Sequence, residues 1–153
     1  MKRNINLIEL SRDHHHGLLL GWKIKQGIKN NTAKSEISNY IKHFGKQALE
    51  PHFKQEEEDV LIYLSDEDSL KKQVIEEHQE IFDLVAHLSV NSTIENLIGI
   101  AEKLEKHIRF EERKLFPHLE KTLSKDELES IGVAIAKNHQ PYIEDYKNEF
   151  WKY

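Results

Sequence analysis

The sequence His107-Ile108-Arg109-Phe110-Glu111-Glu112 repeats the pattern of His52-Phe53-Lys54-Gln55-Glu56-Glu57. In each copy a histidine is followed four residues later by a glutamate, within sequence that has helical periodicity. On an α-helix this spacing places the imidazole and the carboxylate one turn apart on the same face. Such a pair can bind one metal ion through two side chains. The two copies therefore predict two helices that face each other across a metal site.

The composition of the chain favours an all-α protein with a single domain, residues 1–153. A chain of 153 residues is long enough for one core of ordinary size. Its six glycines and three prolines are few for a protein of strands and turns. Because there is no cysteine, any metal must bind to nitrogen and oxygen atoms.

The charge pattern bears on partners and location. The formal net charge is -5, and acidic and basic residues are interspersed, which argues against binding to nucleic acid. Near the start, charged residues such as Lys2 and Arg3 precede any long apolar run, so neither a signal peptide nor a membrane span is predicted. We therefore expect a soluble, cytoplasmic protein that does not contact a membrane.

Apolar residues at helical spacing predict four long helices with short connections. Their expected extents are about Ile5 to Ile28, from after Thr32 to near Leu64, from the acidic run at 65–68 to about Val90, and from the capping box Ser92–Glu95 past Leu115. Together they predict an up-down-up-down four-helix bundle over about residues 5–122. A second capping box, Ser124–Glu127, predicts an additional C-terminal helix over about residues 124–150, with a break near Pro141 as the alternative.

Prolines and aromatic residues mark local features of these helices. Pro51 should bend the second helix just before His52, and Pro117 should weaken or end the regular hydrogen bonding of the fourth. The C-terminal region is rich in aromatic residues, which predict either packing against the bundle or a homodimer contact. These residues are Tyr142, Tyr146, Phe150, Trp151 and Tyr153.

One histidine falls in the apolar stripe of each bundle helix, and two of the four have a glutamate one turn later. A single core histidine is more often a hydrogen-bonded buried residue than a ligand, so the prediction rests on the whole set. Burying this many polar groups is costly unless a metal satisfies them. The predicted metal site comprises His14, His52, Glu56, His78, His107 and Glu111.

Four nitrogens and two oxygens suit iron, and manganese or zinc would also be accepted. Each carboxylate can bridge two cations and offset their charge, which a neutral imidazole cannot do. A pair of metal ions is therefore favoured over one.

Some assignments stay open from the residues alone. His14 falls in the stripe of Leu7, Leu10, Leu18, Gly21 and Ile28, but His15 aligns with Ile8, Leu19 and Trp22 and is an alternative ligand. Glu57 and Glu112 are either alternative ligands or hydrogen-bond acceptors for the histidines. The other histidines, His16, His43, His87, His118 and His139, are expected to lie outside the site.

Taken together, these motifs resemble the hemerythrin-like, or HHE cation-binding, family. The matching stretches are residues 10–14, 51–57, 77–78 and 107–117, and the resemblance covers roughly Leu7 to Leu119. It implies a four-helix bundle with an oxo- or hydroxo-bridged, non-haem pair of iron ions that meets dioxygen or related small molecules.

Two positions depart from the oxygen carriers of that family. Carriers have an additional histidine where this chain has Val74, and an aspartate five residues after the last histidine, where Glu111 follows His107 by four. The resulting set is more similar to the branch of iron-centre repair and nitric-oxide-responsive proteins.

We therefore expect a di-iron protein that binds or senses dioxygen, nitric oxide, peroxide or iron. The alternative is a di-iron enzyme that acts on peroxide or nitric oxide, or an iron-centre repair protein. Because no motif indicates a substrate pocket or a contact for a redox partner, binding is favoured over catalysis.

Overall fold

The computed structural model describes residues 2–152, and all secondary structure in that range is helical. The bundle helices are α1 (Ile8–Lys29), α2 (residues 34–63), α3 (Ser69–Ala86) and α4 (residues 94–122), followed by α5 (Lys125–Asn138). Short 3-10 turns flank them at Ile5–Leu7 and Phe150–Lys152. None of these helices is both long and apolar enough to cross a membrane. The predicted four-helix bundle with an additional C-terminal helix is confirmed.

Helices α2 and α4 are not regular along their length. Helix α2 contains π turns at Gly45–Leu49 and Glu56–Val60 and ends in a 3-10 turn at Leu61–Tyr63. Helix α4 contains a π turn at Glu111–Leu115. Pro51 and Pro117 each follow a π turn as the second residue of the next α-helical segment. The irregularity expected at both prolines is present, but α2 and α4 continue past it.

Side-chain caps explain where three of the helices begin. The Asp68 carboxylate accepts hydrogen bonds from the backbone N–H groups of Leu70 and Lys71, so α3 begins at Ser69. The predicted capping box of α4 is shifted by one residue, to Thr93 and Asn96. The box formed by Ser124 and Glu127 is present as predicted.

Helix α5 ends at Asn138, close to the alternative break at Pro141, and does not extend to about residue 150. Pro141 cannot donate a backbone hydrogen bond and disfavours helical geometry at Gln140. Tyr142, Tyr146 and Phe150 recur every four residues, which is α-helical spacing, yet they pack on the bundle from a chain that is not α-helical. Of the two roles predicted for these aromatic residues, packing is the one that the described part of the tail displays. Tyr153 lies outside the described residues.

Two apolar clusters fill the bundle, one on each side of a polar layer. The first lies at the end formed by the C-terminal half of α1 and the first part of α2, and Phe150 and Trp151 belong to it. The second lies at the opposite end and includes Leu128, Ile131 and Ile135 of α5. Along α1, His14 falls between Leu10 of the second cluster and Leu20 of the first. The predicted site residues occupy this level of the bundle.

The buried face of α1 differs from the predicted stripe beyond His14. Leu18 is 42% exposed, and the face continues through Gly17, Leu20 and Ile24. A straight α-helix has 3.6 residues per turn, so a strict heptad pattern drifts off the buried face. At Gly17 a Cβ atom would lie 2.6 Å from Ile108 Cδ1, so glycine permits the close approach of α1 to α4.

Candidate metal centre

The structure brings all six predicted site residues together in the polar layer. The side chains of His78, His107, Glu56 and Glu111 are at most 1% exposed. His14 and His52 are buried but slightly more open, at 5% and 7%. His15 lies on the exposed surface of α1, so the choice between the two neighbouring histidines favours His14.

The six side chains form two overlapping groups. His14 and His52 belong to one group, His78 and His107 to the other, and Glu56 and Glu111 belong to both. Within each group, one nitrogen or oxygen atom from every residue lies within 4.8 Å of the others. All of these residues are buried, so the clusters differ from the exposed acidic patches that are common on protein surfaces.

Each glutamate faces both histidine pairs with different oxygen atoms. Glu56 Oε2 is 3.3 Å from His52 Nε2, and Glu56 Oε1 is 3.0 Å from His78 Nε2. Glu111 Oε1 is 2.8 Å from His14 Nε2, and Glu111 Oε2 is 3.2 Å from His107 Nε2. We call Glu56 and Glu111 the central glutamates, since each carboxylate spans the space between the two pairs.

Several of these buried atoms have no hydrogen-bond partner. In the described range they include Nε2 of His52, His78 and His107, both oxygens of Glu56 and Oε2 of Glu111. The nitrogen and oxygen atoms are close together, but they are not aligned for an N–H group of a histidine to donate to a carboxylate oxygen. Unpaired buried polar atoms are costly, so six of them around one space favour a bound cation that all could contact. Nitrogen and oxygen donors in this combination suit iron and related metals.

Four more carboxylates surround the histidines, outside the two central glutamates. The Nδ1 atom of each histidine lies 2.6–2.8 Å from a carboxylate of a neighbouring helix. The pairs are His52 with Asp13, His78 with Glu57, His107 with Glu77, and His14 with Glu112. We call Asp13, Glu57, Glu77 and Glu112 the outer carboxylates. Each outer carboxylate contacts the histidine of the next helix in chain order, and the one on α4 contacts the histidine of α1. The four pairs therefore form a closed ring around the bundle.

These hydrogen bonds determine which ring nitrogen of each histidine faces the centre. When Nδ1 carries the proton and donates it to a carboxylate, Nε2 of the neutral ring keeps its lone pair and can ligate a metal. An acceptor fixed on another helix also holds the imidazole plane in one orientation. The outer ring therefore aims the Nε2 atoms of the four histidines at the two central glutamates.

Sequence reasoning found half of the outer ring. Glu57 and Glu112 were predicted as either ligands or hydrogen-bond acceptors, and the structure places them as acceptors. Asp13 and Glu77 were missed. Their signal was present, because each acid directly precedes a site histidine, in Asp13-His14 and Glu77-His78.

The π turns explain how α2 and α4 each place two consecutive glutamates. Glu56 and Glu111 are the first residues of two π turns. In a regular α-helix, neighbouring residues point about 100° apart, at 3.6 residues per turn. The wider π turn, with its i→i+5 hydrogen bonds, reduces that angle. One glutamate can then face the centre while the next still reaches a histidine of the adjacent helix.

The charges in the layer attract cations. Burial lowers the imidazole pKa values, but the surrounding carboxylates outweigh it, raising the pKa of His78 to about 11 and that of His107 to about 9. Burial raises the carboxyl pKa of Glu111, yet the charge of His107 and the hydrogen bond with His14 hold it well below its usual value. The glutamates thus stabilise positive charge, for which protons and metal ions compete.

Aromatic rings support two of the histidines from outside. Phe53 stacks on His78 with the ring centroids 3.9 Å apart and the planes 10° from parallel. Phe116 stacks on His14 at 5.4 Å and 8°. These apolar faces leave the imidazoles little freedom to rotate.

A cleft of about 630 Å³ reaches one side of the layer. It lies between α1, α2, α4 and the chain after α5, and His14, His52 and His107 contribute to its wall. Apolar residues such as Phe44 and Leu104 line it, together with charged and polar residues that include Lys54, Asp59 and His139. Of these three histidines, His14 and His52 are the more exposed.

Most of the chain is similar to a known protein family. Residues 6–119 match the sequence profile of the hemerythrin HHE cation binding domain. No curated protein and no solved structure matches the chain. The matched range contains all six predicted site residues and all four outer carboxylates, whereas α5 and the chain after it lie beyond the match.

Proposed function

This chain belongs to the hemerythrin HHE cation-binding family, and from that premise we propose that it holds two non-haem iron ions and binds or senses dioxygen, nitric oxide, peroxide or iron. The observation that carries the proposal is the sharing of Glu56 and Glu111 by two buried histidine pairs. Two separate sites would need separate carboxylates. Shared carboxylates instead favour two neighbouring cations.

Each residue has a role in this proposal. His14 and His52 would hold one iron, His78 and His107 the other, and the central glutamates would bridge them. Two carboxylates offset part of the charge of two cations, which neutral imidazoles cannot do. Bound iron supplies a reversible change of oxidation state and coordination positions for a small ligand.

The rest of the site orients these ligands and controls access. The outer carboxylates would keep the four Nε2 atoms directed at the irons, as such partners do in other metal sites. Phe53 and Phe116 would exclude water from the outer faces of His78 and His14. The cleft beside His14 and His52 would admit a small molecule, while its apolar walls limit bulk water.

Manganese and zinc remain alternative occupants, since both accept nitrogen and oxygen donors. The family and the donor set together favour iron. An enzyme acting on peroxide or nitric oxide, or an iron-centre repair protein, would use the same residues. Sustained turnover of peroxide or nitric oxide, faster than with free iron, would distinguish the enzyme from a binding protein.

Reconstitution with iron tests the proposal. The full chain is loaded with iron(II) without oxygen, excess metal is removed, and iron per chain is measured. The absorption spectrum is then recorded before and after addition of dioxygen, nitric oxide or peroxide. We expect two irons per chain and a spectral change with at least one of these ligands. Absence of retained iron would contradict the metal assignment. Retained iron that responds to none of these ligands would contradict their assignment and leave iron itself as what the protein binds or senses.

A further inference from the structure

The C-terminal segment, residues 139–152, packs along the side of the bundle after α5. It lies beyond the residues that match the family. At its far end Phe150 and Trp151 are buried in the first apolar cluster. In its middle Glu144 accepts hydrogen bonds from Lys23 Nζ at 2.7 Å and from the hydroxyl of Tyr40. Its first residue reaches the level of the candidate metal centre.

That first residue, His139, contacts an outer carboxylate. His139 Nε2 lies 2.9 Å from both oxygens of Asp13. Asp13 Oδ2 is also 2.8 Å from Nδ1 of His52, a proposed iron ligand. The side chains of His139 and Asp13 are only 10% and 17% exposed, so water competes little for these contacts. One carboxylate thus connects the C-terminal segment to the centre.

Other outer carboxylates have different additional partners. Glu77 accepts a hydrogen bond from Gln73 of its own helix. Glu112 is contacted by Ser11 and by Arg3, which lies near the start of the chain. Asp13 is the outer carboxylate that the C-terminal segment contacts. The contact is made by His139, the residue at which the segment leaves α5, and it holds Asp13 beside the His52 imidazole.

We propose that the C-terminal segment is coupled to the candidate metal centre through His139, Asp13 and His52, so that docking of the segment and cation binding at His14 and His52 strengthen each other. The inference rests on the proposed function and adds that docking of the segment responds to cation binding. His139 is a positioning residue, since it touches Asp13 and not the ligand atoms. By linkage, whatever docking adds to cation affinity, cation binding must add to docking. How tightly the segment docks at the protein surface would then depend on whether the centre holds a cation.

Affinity measurements test one direction of the coupling. Iron(II) binding to the full-length His139→Ala variant is measured by competition with a chelator at constant pH. Removing a direct partner of a metal-bound histidine typically lowers affinity by about 10- to 100-fold, and His139 is one contact further away, so we expect a loss of about tenfold for one of the two ions. His139→Gln keeps a donor for Asp13 and should recover part of the affinity.

The matched control is His118→Ala. His118 is also a partly buried histidine paired with a carboxylate, at 2.7 Å from Asp68, but that pair lies at the start of α3. Its removal should leave both iron affinities unchanged. Equal affinities for wild type, His139→Ala and His118→Ala would overturn the inference, as would equal losses in the two variants.

Hydrogen exchange tests the reverse direction. Backbone amides of residues 140–149 should exchange more slowly when iron(II) is bound to the wild type, and this difference should disappear in His139→Ala. Glu144→Gln should speed exchange with and without iron while keeping the difference, because it loosens the segment without touching Asp13. Identical exchange of the wild-type segment with and without iron would refute the coupling. If the wild type binds no iron at all, the proposed function itself fails.

Discussion

Helices α1 and α3 differ from α2 and α4 in how they supply the centre. The first two are regular at the site, and each contributes an acid followed directly by a histidine, Asp13-His14 and Glu77-His78. The other two contribute a histidine and then two consecutive glutamates, and a π turn begins at the first glutamate. On a regular helix, two adjacent side chains can point to the centre and to a neighbouring helix. Placing two side chains at the centre and a third against a neighbouring helix requires the π turn.

The two pairs of helices also differ in how deeply their carboxylates at the site are buried. Helices α2 and α4 carry the two carboxylates that are fully enclosed, whereas the acids of α1 and α3 lie at the partly exposed rim. A buried carboxylate is costly unless positive charge accompanies it. Substitutions of the enclosed glutamates, Glu56 and Glu111, should therefore affect cation binding most, and those of the outer carboxylates least.

The largest expected effect is that of Glu111→Gln. Glu111 oxygens lie within 4 Å of the Nε2 atoms of all four histidines, at 2.8–3.9 Å, whereas Glu56 contacts only His52 and His78. We expect Glu111→Gln to lower the affinity for both iron ions by more than about 100-fold, beyond the loss typical of an outer partner. Glu56→Gln should cause a smaller loss.

Chelator competition measures both losses, and circular dichroism checks that the helices are retained. Glu58→Gln is the matched control because Glu58 is exposed on the same helix. If Glu56→Gln proved as damaging as Glu111→Gln, the unequal roles assigned to the two glutamates would be wrong.

An intermediate effect is expected on α1. His14→Ala removes one nitrogen from one histidine pair, so the chain should retain about one iron instead of two after gel filtration. His15→Ala removes the neighbouring imidazole, which is exposed, and should retain both. Iron content per chain is the measurement. Loss of iron from His15→Ala would show that the surface histidine has a role that its position does not suggest.

The smallest effect should come from the outer ring. Glu77→Gln replaces the acceptor of His107 Nδ1 and should lower iron affinity by about 10- to 100-fold without changing the number of ions bound at saturation. The iron-free protein should lose only about 1 kcal/mol in free energy of unfolding, the usual net contribution of one hydrogen bond. Glu76→Gln, one residue away and exposed, is the control. Calorimetric titration and denaturant unfolding would measure the two quantities, and unchanged affinity in Glu77→Gln would argue against an orienting role.

The helical bundle and the arrangement of the six buried residues could be predicted because each leaves a periodic signal. The histidine of each helix falls in a stripe of apolar residues, and the spacing of four between His52 and Glu56 is repeated at His107 and Glu111. Burial forces such residues onto one face of a helix, so the sequence records their direction.

Features without periodicity were missed. His139 contacts Asp13 from a segment that is not helical, so no spacing connects the two residues. The π turn at Glu56 is not followed by a proline, unlike those before Pro51 and Pro117, and no residue type marked it. The chain after Asn138 is not α-helical, although Tyr142, Tyr146 and Phe150 recur every four positions, because it packs across the bundle. These features depend on tertiary contacts, which local patterns do not contain.

Anomalous diffraction from crystals of the iron-loaded protein tests the central claim most directly, that two cations share Glu56 and Glu111. We predict two anomalous peaks per chain. One should lie beside the Nε2 atoms of His14 and His52, the other beside those of His78 and His107, and both should be in contact with the two glutamates. A single peak, or two peaks without a shared carboxylate, would contradict the account.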